Sequence, residues 1–204
     1  MPSSIEIGRL LRAGITGFVA GCSVTQFTMP TLGALVCAQP DVHKDYIIYG
    51  LIHDIHIDED GLVRQLVTAE NISAEVMRDN RERRIVPVEM SVLSVGYQQD
   101  GKIFHLLPPR PPLSLDLIHL CSDEDLARFT SAGRFGYLRH LLRAKDAPIG
   151  EILAAHIQQA GAAQNSKWKE AVVQELITLM RDDYPTLMSV LSSLGDVMGQ
   201  DAAL

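Results

Sequence analysis

Val86-Pro87-Val88-Glu89-Met90-Ser91-Val92-Leu93-Ser94-Val95-Gly96-Tyr97-Gln98-Gln99-Asp100-Gly101-Lys102-Ile103-Phe104 is the stretch on which the fold class turns. Apolar residues recur there at every second position, the period of a strand whose side chains alternate between two faces. Asp100-Gly101 suits a tight type I′ turn because glycine tolerates positive φ, and it separates Val95 and Tyr97 from Ile103, Phe104 and Leu106, so the stretch reads as a β-hairpin. Val86, Val88, Met90 and Val92 share one parity, whereas Leu93, Val95 and Tyr97 take the other. A bulge or barrel corner near Val92 is then needed to keep both sets inside. Curved strands of this kind suit a small closed barrel.

Working outward, short apolar stretches separated by Gly, Pro and Asp breaks read as further strands at Ile5–Leu11, Phe18–Val24, Ala34–Ala38, Tyr46–Ile57, Val63–Val67, Ile85–Tyr97 and Lys102–Leu107. Pro108-Pro109-Arg110-Pro111-Pro112 can sustain neither a helix interior nor a central strand. It is read as a stiff linker, dividing a β-barrel at 1–112 from a helical region at 113–204. Ser122 followed by Asp123-Glu124-Asp125 places a hydroxyl cap and acidic first-turn residues at a helix start, so helices are expected at Asp123–Thr130 and Phe135–Ala144. Three more amphipathic helices follow from the three-and-four spacing of Ile149, Ile152, Leu153, Ile157 and Ala160, of Trp168, Val172, Leu176, Leu179 and Met180, and of Leu187, Val190, Leu191, Leu194, Val197 and Met198. Gly161 and Pro185 punctuate them. The expected class is α+β.

At 204 residues and 47% hydrophobic the chain can bury its own core. Its three cysteines, Cys22, Cys37 and Cys121, are odd in number, far apart in sequence and without a C-x-x-C pair, which argues against a disulfide framework or zinc knuckle and for a reducing compartment. No apolar run approaches the roughly 18 residues that span a bilayer, and the first residues lack a basic segment followed by an apolar one. The expectation is a cytoplasmic protein without a membrane span. A formal charge of -7 repels a phosphate backbone at long range and weighs against a stand-alone nucleic-acid binder.

Gly96-Tyr97-Gln98-Gln99-Asp100-Gly101-Lys102 matches the P-loop pattern until its last position, where Ile103 replaces the hydroxyl that holds magnesium. A strand-turn-strand also lacks the helix N-terminus that faces phosphate. His53 and His56 lie three apart in an expected strand, where their rings point to opposite faces. The run from His56 to Gly61 resembles the opening of a calcium loop but starts with His and has Val67 where a bidentate Glu belongs. No nucleophile elbow is present. No catalytic residue, metal ligand or cofactor is therefore expected. Arg78, Arg81, Arg83 and Arg84, interrupted by Asp79 and Glu82, form the densest basic group; they read as a solvated turn or as a contact for phosphate or an acidic partner. The Leu187, Val190, Leu191 and Leu194 stripe reads either as core or as a contact between subunits.

From Ile5 to Leu142 the chain resembles the HAS-barrel, the N-terminal barrel of HerA-type hexameric DNA translocases, similar to the N-terminal barrels of ATP synthase α and β subunits. The resemblance rests on an ordered series: Ile7-Gly8, Pro30-Thr31-Leu32-Gly33-Ala34-Leu35-Val36, Ile48-Tyr49-Gly50-Leu51-Ile52 with Asp54, Leu62-Val63-Arg64-Gln65-Leu66, Val86-Pro87-Val88, and Leu107-Pro108-Pro109-Arg110-Pro111-Pro112 before Asp123-Glu124-Asp125-Leu126. It implies a six-stranded barrel that makes ring contacts and docks partners rather than supplying catalytic residues. In the family a RecA-like ATPase follows the barrel, whereas about sixty residues follow here from Lys145, without a Gly-rich phosphate loop. The implied function is a non-enzymatic interaction or assembly protein, a homo-oligomer with a HerA-like ATPase as partner in a DNA repair setting. The alternative is a nucleic-acid accessory protein that uses a barrel surface and the Arg78–Arg84 group.

Overall fold

Asp100 and Gly101 both adopt positive φ, 50° and 75°, the pair of left-handed residues that a type I′ turn requires. The turn joins the long strand β5 (Val86–Gln99) to the short β6 (Lys102–Phe104), with Gln99 opposite Lys102 and Tyr97 opposite Phe104. The segment with the incomplete P-loop pattern is thus a hairpin. The protein is described here from a computed structural model, in residues 5–24, 30–40, 45–57, 86–145 and 147–201. The strand expected at 63–67 and the arginines at 78, 81, 83 and 84 lie outside them.

Five further strands precede or follow that hairpin: β1 (Ile5–Ala13), β2 (Gly17–Val24), β3 (Leu35–Ala38), β4 (Tyr46–Ile57) and β7 (Leu117–Leu120). The sheet runs β2-β1-β7-β3-β4-β5-β6, and β2 also pairs with β5, so six strands close on themselves while β6 extends from the β5 edge. Every pairing is antiparallel. The length of β5 makes this possible: one of its edges pairs with β2 through residues 86–93 and with β6 through 97–99. The α+β class and the six-stranded barrel agree with the sequence reading. β7 was not anticipated. It lies beyond the proline run, so the barrel takes residues from both sides of that run.

Four bulges bend the wall, with extra residues at Ile7 and Leu11 in β1, His53 in β4 and Val95 in β5. The parity change in β5 has a different meaning from the one expected. Val88, Met90 and Val92 fill the barrel interior with Leu10, Phe18 and Ile52. Leu93 and Val95 belong instead to a second cluster between the outer wall and the helices. The same split runs through β3, where Val36 and Ala38 point inward and Leu35 and Cys37 outward, and through β4, where Ile48 and Ile52 oppose Tyr49 and Leu51. These strands are buried on both faces, and hence their near-continuous apolar sequences.

Helices α1 (Asp123–Ser131), α2 (Leu138–Leu142), α3 (Ile149–Ala162), α4 (Ser166–Leu179) and α5 (Tyr184–Asp201) supply the cover. Ser122 caps α1 as expected, its hydroxyl accepting from the Asp125 amide at 3.2 Å. Asn165 caps α4 through the Trp168 amide at 3.0 Å. Gly33 sets the seat of α3 on the barrel: its φ is +74°, and a Cβ there would stand 2.7 Å from the His156 nitrogen and 2.9 Å from the Ile152 oxygen. No larger residue allows the helix backbone that close.

Candidate functional site

A buried polar junction fixes the helices to the barrel. The Nδ1 of His156 lies 3.1 Å from the Gly33 carbonyl, and its Nε2 lies 3.2 Å from the Tyr137 hydroxyl. A carbonyl only accepts, so Nδ1 carries the hydrogen, and Nε2 accepts from Tyr137. Burial pulls His156 down to about 4 and raises Tyr137. His105 donates from Nε2 to the Phe129 carbonyl at 3.0 Å, and His140 donates to the His105 carbonyl at 3.2 Å. Burial lowers both imidazoles. His156 has both ring nitrogens engaged inside the protein and no exposed surface. It is a neutral strut with no free lone pair for acid–base work. Around it Phe129, Tyr137 and His105 meet at centroid distances of 4.8–5.4 Å.

The opposite side of the barrel is differently built. The helical cluster takes outer-face residues from β3, β4 and β5, while the outward residues of β1, Arg9, Leu11 and Arg12, are exposed. Leu11 lies on the outer surface of β2, where a Cβ on Gly21 would approach its side chain to 3.2 Å. Beside it runs the loop leading into β7. The Leu115 amide donates to the Leu10 carbonyl at 2.9 Å, and Arg9 donates to the Leu115 carbonyl at 3.1 Å. Asp116 closes the loop by accepting from the Leu113 amide at 2.8 Å and donating its own amide to the Leu113 carbonyl at 3.2 Å.

This loop holds Leu115 at a φ of +72°. A non-glycine residue in that region costs about 1 kcal/mol or more. Its side chain is 69% exposed, with Leu113 at 59% and Leu11 at 49%. Three exposed leucines, one of them at a backbone cost, therefore lie on β1 and on the loop bonded to it, with Arg9 and Arg12 on the same strand. Burying such side chains against a partner is favourable by roughly 1.5–3 kcal/mol each. The arginines bias that partner toward one carrying carboxylates.

The residues singled out from sequence fall elsewhere. Leu187, Val190 and Leu194 are buried in the cluster under the helices, where α5 lies on α3 closely enough that a Cβ on Gly150 would meet Val190 and Ser193. Leu191 is partly buried and lines a groove of about 590 Å³ between α4 and α5 with Lys169, Val173 and Gly195. His53 is half-buried at its bulge and His56 exposed. Among the described residues no group of three or more His, Cys, Asp or Glu is placed to hold a metal ion. No helix there is long and apolar enough to cross a membrane. Leu11 escaped sequence reading because alternation in β1 is broken by its bulges; for Leu113 and Leu115, in the loop before β7, Leu-Ser-Leu-Asp after the prolines was the available signal.

Among the described residues, a closed antiparallel barrel with helices over one side and exposed β1 side chains on another defines a barrel-based α+β module. No protein-family model matches the chain, and no curated protein matches it.

Proposed function

We propose that this protein is a non-enzymatic assembly module, a stand-alone barrel of the HAS type that associates with further copies of itself through its uncovered face. The observation that carries the reading is the exposure of Leu11, Leu113 and Leu115 on that face, with Leu115 kept at positive φ. The Leu115 amide and carbonyl anchor the loop to β1, but neither bond uses the side chain, which stays in water in the isolated chain. The ordered likeness to the HAS-barrel supports ring-type contacts, which are heterologous and close through rotation. It also supports a HerA-like ATPase as the partner, with the groove between α4 and α5 left for that contact.

Sedimentation of the intact chain over a concentration series is the test. Association that rises with concentration and weakens in Leu11→Ser/Leu113→Ser supports the reading, whereas a monomer at every concentration refutes it. Co-sedimentation with a purified HerA-type ring tests the second partner separately.

A further inference from the structure

The buried junction leaves one ring nitrogen unpaired. His105 is 9% exposed, its Nε2 hydrogen goes to the Phe129 carbonyl, and its Nδ1 makes no hydrogen bond among the described residues. With the hydrogen on Nε2, Nδ1 is an acceptor without a donor. An acceptor left so in the interior is unfavourable, and native interiors seldom contain one.

The turn at residues 132–137 lies over that nitrogen. A Cβ on Gly133 would stand 3.3 Å from Nδ1 and 3.7 Å from Cε1, and would meet nothing else within 4 Å. A Cβ on Gly136 would stand 3.1 Å from an Arg139 Nη and 3.6 Å from Nδ1. The place where a side chain would sit is thus shared by an imidazole acceptor and a guanidinium donor, and glycine keeps it clear. Arg139 is fixed there by its Nε, which donates to the Gly136 carbonyl at 3.1 Å, while its Nη groups have no partner among the described residues.

The surroundings are cationic. Between Asp125 and Asp146 the chain carries Arg128, Arg134, Arg139, Arg143 and Lys145 and no carboxylate. Arg128 pairs with Asp125, whereas Arg134, Arg139 and Arg143 are exposed and pair with no described carboxylate. In a chain of net charge -7 this local reversal of sign attracts an anion.

We propose that His105 and Arg139 form a binding site for a terminal phosphate group, inorganic phosphate or a phosphate monoester, in a form that keeps one P–OH. That hydroxyl donates to Nδ1, and the phosphoryl oxygens accept from the Arg139 Nη groups. The ligand enters by displacing the turn at Gly133, where the amides of Gly133 and Arg134 donate to no described backbone group. The acceptor selects the ligand. Sulfate has no hydroxyl at neutral pH and a phosphodiester has none at all, so both satisfy the arginine and leave Nδ1 unpaired. A site that bonds a ligand hydroxyl discriminates against the analogue without it. A nucleic-acid backbone is therefore the wrong ligand here, although the arginines alone attract it. The site uses none of the residues assigned to self-association.

The test titrates the folded full-length chain in phosphate-free buffer with inorganic phosphate, phenyl phosphate, sulfate and dimethyl phosphate, by calorimetry and by nitrogen NMR of the histidine rings. Inorganic phosphate or phenyl phosphate should bind at least about tenfold more tightly than sulfate or dimethyl phosphate, the tighter of the two identifying the source. The Nδ1 resonance of His105 should move upfield as it accepts a hydrogen bond. Arg139→Gln should weaken phosphate about tenfold or more, and His105→Phe should abolish the preference for phosphate over sulfate. Where the His105 variant does not fold, the Nδ1 resonance of the unaltered chain decides. The inference is overturned by an absence of phosphate binding, by sulfate binding as tightly as phosphate, or by binding that leaves that resonance unmoved.

Discussion

His156 donates its Nδ1 hydrogen to the carbonyl of Gly33, 123 positions earlier, across 3.1 Å. That bond joins the middle of α3 to the loop before β3. It is the point where the helical cover and the barrel depend on each other.

Acid should loosen this junction. Burial holds the folded-state pKa of His156 near 4, below its ordinary 6.5. Between those values the unfolded chain binds the extra proton, so stability is constant above about pH 6.5 and declines as pH falls toward 4. The loss is on the order of 3 kcal/mol, with His105 and His140 shifting in the same direction. Urea unfolding at a series of pH values measures it. His156→Leu should flatten the decline while lowering stability at pH 7 by about 2 kcal/mol, because the Gly33 carbonyl and the Tyr137 hydroxyl lose their partner. An unchanged slope in that variant would remove His156 as the cause.

Gly33 and Gly101 both have positive φ, yet they should respond differently to alanine. At Gly101 a Cβ meets nothing within 4 Å, so only backbone strain remains, about 1 kcal/mol. At Gly33 the same Cβ runs into the backbone of α3, and the cost should exceed about 3 kcal/mol. Equal losses in thermal unfolding would contradict the seating of α3 on that glycine.

The Ser122 cap gives a milder, local expectation. Ser122→Ala removes the acceptor for the Asp125 amide and the donor to the Asp125 carboxylate and should destabilise the protein by about 1 kcal/mol, with Ser122→Thr close to neutral. Denaturant midpoints compared at constant slope are the measurement.

Much of this fold is local in origin and could be read in sequence. The Asp100-Gly101 turn, the alternation in β5 and the Ser122 cap each depend on neighbours a few residues away. β7 escaped because four residues, Leu117 to Leu120, carry too little pattern; they are a strand only because Arg9 to Ile5 on one side and Val36 to Ala38 on the other supply partners. The same nonlocality set Cys37 and Cys121, far apart in sequence, along one pair of neighbouring strands. In β5 the alternation was visible but its destination was not. Periodicity names two faces, and whether a helix covers the second is decided by residues beyond 120. The apolar stripe of α5 was open in the same way, and Leu187, Val190 and Leu194 found their partners within the chain.

The central claim, that the uncovered barrel face is built for contact with a second copy, is tested most directly at Leu115. Glycine there removes the exposed side chain and relieves the positive φ of +72°, so Leu115→Gly separates folding from assembly. The account expects this variant to unfold at a higher temperature, by about 1 kcal/mol of added stability, and to associate about tenfold or more weakly in sedimentation equilibrium. Unaltered association alongside the gain in stability would contradict it.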